Sequence, residues 1–241
     1  MTTPTSDAER AGAVTRLVGD LERRFKEAVT RSLRFDLDGS VTSLAVVDHY
    51  LMQAREETRE PILSLLAAGA GAYFGELVRR HIGGLWLGDG SDPRHLRLLL
   101  TPAFVYFSPA DLAFTAILGV EPDPADPRCP PGLPLDAGLH LDTGTRLPHR
   151  KRAPDPEDPP PDPETTPPDP TRLPHDDGSD DATWIAARLA ELAPVPEDQF
   201  FSLTGRYETL ELILEMLAAR REAAGYEPYE YTVEDYLKAF S

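Results

Sequence analysis

The stretch LLAAGAGAYFGELVRRHIGGLW, residues 65–86, sets a strongly apolar segment against three early glycines and a single carboxylate. Glycine inside a helix costs about 1 kcal/mol relative to alanine, so Gly69, Gly71 and Gly75 weaken this helix unless close packing compensates. On a 3.6-residue period Ala68, Gly71 or Ala72, and Gly75 share a smooth face on which another backbone can approach. Leu66, Tyr73 and Leu77 occupy the opposite side. The pattern predicts a central core helix from about Pro61 to Ile82, ended by Gly83 and Gly84. Glu76 is the exception to its apolar character.

Working outward, Ser6 and Glu9 form a capping-box pattern ahead of Val14, Leu17, Val18, Leu21, Phe25, Ala28 and Val29, which trace one face of a long helix. Ser43 can cap a second helix through Leu44, Val47, Tyr50 and Leu51. Strand-like runs follow at 85–87, 96–100 and 104–107, separated by turn signals. Ser108 with Pro109 and Asp111 begins another helix, ending at Gly119. Near the C-terminus, Asp181 can cap a helix holding Trp184 and Ile185. A longer one follows Thr204, and Thr232 with Asp235 predicts a last short helix. Two helices and a stub do not bury their own apolar faces, so they are expected to pack back on the first 120 residues. The expectation is an α+β fold, mostly helical, with a small antiparallel sheet and a long Pro-rich acidic insertion.

That insertion is set by composition. Of 25 prolines, 17 fall between Pro122 and Pro174, which removes backbone donors too often for regular structure. Residues 1–120 are read as the N-terminal part, 121–181 as an extended or disordered linker, and 182–241 as the C-terminal helices. The net charge of −17 is unevenly spread. Residues 1–120 hold 13 basic and 15 acidic groups, 121–181 hold 6 and 15, and 182–241 hold 5 and 11, giving −2, −9 and −6. Such a field repels nucleic acid and favours a basic partner.

No uncharged apolar run reaches the roughly 20 residues of a membrane span, and MTTPTSDAER lacks a secretory pattern. A cytoplasmic location without membrane attachment is expected, and the lone Cys129 fits a reducing compartment.

Few residues assemble into chemistry. Glu76 lies three and four residues before Arg79 and Arg80, the favourable order for a helical ion pair. Its other reading is a base or acceptor at the edge of a cleft shared with Tyr73, Arg80 and Trp86, the four candidate binding residues. Asp48 and His49 diverge by about 100° on a helix and make no dyad; His81 reads as a partner of the helix dipole. Asp142-Thr143-Gly144 looks like the turn of an aspartic protease, but no second copy supplies the paired carboxylate. DLDGS at 36–40 and GDGSD at 88–92 lack the closing glutamate of a calcium loop and read as turns. His149–Arg152, HRKR, reads as a solvated charge run. The C-terminal tyrosines, Tyr226, Tyr229, Tyr231 and Tyr236, read as a cover over the core. No metal and no cofactor are expected.

Gly71, Tyr73, Gly75 and Glu76, followed by Gly83, Gly84 and Trp86, give a motif over residues 40–107 that resembles uncharacterised bacterial proteins. These share a Gly-x-Tyr-x-Gly-Glu helix and a Gly-Gly-x-Trp end. The resemblance implies a shared α+β fold and no activity. The charge asymmetry, the proline-rich tether and the lack of an assembled catalytic set point to a non-catalytic protein-interaction factor, an adaptor or immunity-like protein with an acidic surface. The alternatives are an enzyme with a cleft around Glu76, Tyr73 and Trp86, and a structural subunit of an assembly.

Overall fold

A computed structural model describes residues 7–132, 134–141 and 179–240. Ser6, the Asp142-Thr143-Gly144 triplet, the HRKR run and most of the expected linker lie outside the described residues. The fold is α+β, with eight helices and one four-stranded antiparallel sheet among them.

Helix α1 (Asp7–Leu33) turns its apolar stripe inward through Val14, Val18, Phe25 and Val29. α2 spans Leu44–Gln53 and α3 spans Glu60–His81. α3 is the pivot, buried along most of its length and packed chiefly on α4 (Pro109–Leu118) and α1. It is long and apolar enough to cross a membrane, yet two-thirds of its apolar window is covered by other parts of the fold, as in a core helix.

The glycines of α3 take their neighbours separately. A Cβ on Gly71 would fall 2.5 Å from the Pro109 carbonyl oxygen and 2.7 Å from Ala110 Cα, so the start of α4 sits directly on this residue. At Gly69 the neighbour is Phe25. Gly75 departs from the expected backbone approach, because the indole of Trp86 lies flush against its Cα. One smooth face thus admits a helix start at one point and an aromatic ring a turn later.

Strands β1 (Gly84–Leu87), β2 (Arg97–Leu100) and β3 (Val105–Phe107) run in sheet order and pair antiparallel. Trp86 stands opposite Leu98, and Leu98 opposite Phe107. A fourth strand, β4 (His140–Leu141), pairs Val105 with Leu141 and Tyr106 with His140. Residues 121–141, assigned to the linker on composition, therefore belong in part to the fold. Their prolines hide three leucines, Leu135, Leu139 and Leu141, which pack on the core.

Helix α4 begins at Ser108, whose hydroxyl accepts from the Asp111 N–H, and ends at Gly119 with φ 70°, a left-handed position suited to glycine. After the gap in the described chain, α5 (Asp181–Ala190) is capped by Asp180, one residue before the expected cap. A short α6 (Glu197–Phe200) precedes α7 (Leu203–Ala223), which Ser202 caps. Trp184, Ile185, Leu203, Tyr207, Leu210, Ile213 and Leu217 join the same core as α2, α3 and α4. Residues from both ends of the chain thus share one apolar interior.

The last helix, α8 (Val233–Ala239), opens with a full capping box of Thr232 and Asp235. It covers the sheet face turned away from α3, where Leu99, Phe104, Tyr231 and Tyr236 cluster. The buried Tyr236 hydroxyl accepts from the Val105 N–H at 3.0 Å and has the carbonyls of Leu100, Ala103 and Val105 within 3.0 Å as acceptors. Tyr231 donates its N–H to the Thr101 carbonyl at 2.8 Å. A sheet covered on both faces explains why β2 reads as the nearly unbroken apolar run Leu98–Leu99–Leu100.

Candidate functional site

Of the four residues singled out by sequence, three come together. Glu76 Oε1 accepts from the Trp86 indole N–H at 2.8 Å and from Arg79 Nε at 2.9 Å. Glu76 Oε2 accepts from Arg79 Nη2 at 2.9 Å and faces Arg80 Nη2 at 3.5 Å. Arg80 also reaches across to α1, donating to Glu22 Oε1 at 2.8 Å. With its side chain only 13% exposed, Glu76 would be pushed up by burial. The hydrogen bonds from Arg79 and Trp86, with the charges of Arg79 and Arg80, outweigh that and hold it below the usual glutamate value. A carboxylate so held is a poor general base.

Tyr73 serves a different neighbourhood. Its hydroxyl accepts from the Gly39 N–H at 3.1 Å and lies 2.5 Å from Ser43 Oγ. Because Ser43 Oγ donates to the Ser40 carbonyl, Tyr73 must be the donor to Ser43. Burial raises its pKa, with the Ser43 and Gly39 hydrogen bonds opposing. The hydroxyl fixes the 39–43 loop to α3, and His81 adds a contact from Nε2 to the Gly39 carbonyl at 3.0 Å. Beside Trp86 the open space is only about 10 Å³, too small for a substrate. Among the described residues Tyr73 is buried against the 39–43 loop while Trp86 and Glu76 bond each other, so the three line no common cleft there.

Other polar groups are engaged in the same way. Asp48 accepts from the Leu203 and Thr204 N–H groups at 2.7 and 3.0 Å, acting as an N-terminal cap for a helix about 155 residues further along the chain. Asp38 and Asp89 each close a turn by accepting from a serine two residues on. Among the described residues no three His, Cys, Asp or Glu side chains gather where a metal could be held.

Larger spaces lie elsewhere among the described residues. An open groove of about 720 Å³ runs along α1 between Gly19 and Arg34 and reaches Arg80. A cavity of about 830 Å³ lies where residues 121–138 meet the α6–α7 turn. Five prolines from Pro122 to Pro134, with Leu135 and Phe200, give it an apolar wall. Cys129 also lines it, its thiol pushed up chiefly by burial. Arg206 brings a charge to the same wall although it is only 5% exposed. Its guanidinium carbon lies 4.6 Å from the Phe200 ring centroid and 5.0 Å from that of Phe201. Burial lowers its pKa to about 10, which leaves it a cation at neutral pH.

Helical spacing and capping patterns do not mark Arg206, Phe200 and Asp48 as partners of distant segments. The one local signal was the pair Phe200–Phe201 five to six residues before an arginine inside an otherwise amphipathic helix. The chain matches no protein-family model, no curated protein and no solved structure.

Proposed function

We propose that this chain is a non-catalytic protein-interaction factor of the bacterial cytoplasm, an adaptor or immunity-like protein that offers an acidic surface to a basic partner. The observation that carries the reading is a stripe on α7. Glu208, Glu211, Glu215 and Glu222 are all exposed and carry no ion pair among the described residues. At about 100° per residue they fall within an arc of about 60°, on the side away from the buried Leu210, Ile213 and Leu217. Unpaired like charges along one face raise the local potential and steer an oppositely charged surface toward it. The excess of acids in residues 121–241 adds to the same field.

The enzyme reading has less in its favour. Both oxygens of Glu76 are occupied by donors of the same chain, and among the described residues the space beside Trp86 is only about 10 Å³.

The test is capture on the immobilised full chain at about 0.01 M and about 0.15 M salt, between which the screening length falls from about 30 to about 8 Å. The wild-type chain is expected to retain a basic protein at low salt and to release much of it at the higher. A variant with all four α7 glutamates changed to glutamine should retain at least tenfold less. Empty capture at both salts, or equal retention by the variant, would refute the reading.

A further inference from the structure

Arg206 is unusual among the arginines of this fold. Arg220 and Arg221 share Asp181 at 3.1 and 3.2 Å, Arg94 meets Asp111 at 3.2 Å, and Arg128 meets Asp126 at 2.6 Å. Arg206 is more deeply buried than these, yet among the described residues no carboxylate meets it, and its Nε, like that of Arg221, has no hydrogen-bond partner. Its place in the first turn of α7 deepens the discrepancy, since the N-terminal end of a helix disfavours a cation. Asp48 caps that end through the Leu203 and Thr204 N–H groups but forms no ion pair with Arg206. A buried cation without a partner is costly, and the cost is removed when an anion supplies charge and acceptors together.

We propose that the cavity at Arg206 is a binding site for a small organic monocarboxylate, with the carboxylate on the guanidinium and an apolar body against Phe200, Leu135 and the prolines. The planar fork of arginine matches a carboxylate by two parallel hydrogen bonds. The proline wall presents no backbone N–H to compete for the anion. A volume of about 830 Å³ lies within the range of small-ligand pockets and far exceeds a bare inorganic ion. Glu121 also lines the cavity. Its negative charge sets the preference for one carboxylate over two.

This site is independent of the α7 stripe, and its test uses different readouts. Thermal unfolding of the full chain is measured with phenylacetate, cyclohexanecarboxylate and isovalerate, with their amides, and with succinate. At about a hundred times Kd, a monocarboxylate should raise the midpoint by about 5–10 °C, with no rise from the amide and a much smaller one from succinate. The same acids should slow maleimide labelling of Cys129, the chain's one cysteine and part of the cavity wall, several-fold. Arg206→Met should abolish both effects. If that variant does not fold, the acid-against-amide contrast and the protection of Cys129 in the wild-type chain decide alone. The proposal fails if none of the three acids shifts the wild-type midpoint, if the amides act equally, or if Arg206→Met still responds. Binding that emerges only after the acidic residues within 155–169 are changed to their amides would assign the site to the chain's own Asp-Pro segment and overturn the small-molecule assignment.

Discussion

Glu76 and Arg206 are both ionised groups pressed into apolar surroundings, and the fold treats them in opposite ways. The carboxylate at the end of α3 receives four polar contacts from Trp86, Arg79 and Arg80. The guanidinium at the start of α7 receives two aromatic rings and, among the described residues, no acceptor on its Nε. Charge burial alone therefore does not mark a functional residue. A satisfied charge stabilises the fold that surrounds it; an unsatisfied one beside a cavity identifies what a ligand would have to bring.

The contrast is open to direct attack. The largest effect is expected at the Glu76 side, where Trp86→Ala removes the indole donor and uncovers Gly75, at a cost of about 3 kcal/mol, read from urea unfolding. Should the loss stay under about 1 kcal/mol, the indole would be a surface cover and Glu76 would not depend on it. Glu76→Gln keeps the shape and one acceptor oxygen but loses the charge that Arg79 and Arg80 face, for an expected loss of about 1.5–3 kcal/mol at pH 7.

A pH series then isolates the charge. The folded Glu76 value lies below its ordinary 4.5, so its contribution is complete above that value and disappears as pH falls through the lower folded one. Wild type should lose its advantage over Glu76→Gln across that acid window, and the two midpoints should converge. If their difference stayed constant down to the folded value, charge would not be the source of the stabilisation.

The smallest effect carries the opposite sign. In the absence of added ligand, Arg206→Met should raise stability by about 1 kcal/mol, because a buried charge without a partner is exchanged for an apolar chain of similar length. Stacking on Phe200 and Phe201 offsets part of this gain. A loss of stability would mean that the two rings alone compensate the guanidinium. Matching single variants at both sites in one unfolding series would place the two charges on a common scale.

Local patterns made much of the framework legible. The 3.6-residue stripe of α1, the Ser108 and Thr232 caps and the glycine break after α3 depend on residues within about one helical turn of each other, and each stands where its pattern predicts. Boundaries set by competing caps moved, to Asp180 and Ser202, because each has a neighbouring residue able to cap almost as well. The candidate site was partly legible. Glu76 with Arg79 and Arg80 follows from helical spacing, whereas the indole donor of Trp86 arrives only after the Gly83–Gly84 turn folds β1 back over Gly75.

By itself the sequence determined seven of the eight described helices, the direction of their apolar faces, three of the four strands and the acidic excess, all of which follow from periodicity, caps, turns and composition. Only the tertiary structure decided that Asp48 would cap α7, that β4 would arise within the proline-rich stretch, that Tyr236 would brace the far side of the sheet, and that Arg206 would be buried with no carboxylate on it among the described residues. These join segments tens to more than a hundred residues apart. Which polar groups meet at such distances is fixed by how the apolar faces close on one another, and no local spacing encodes that closure.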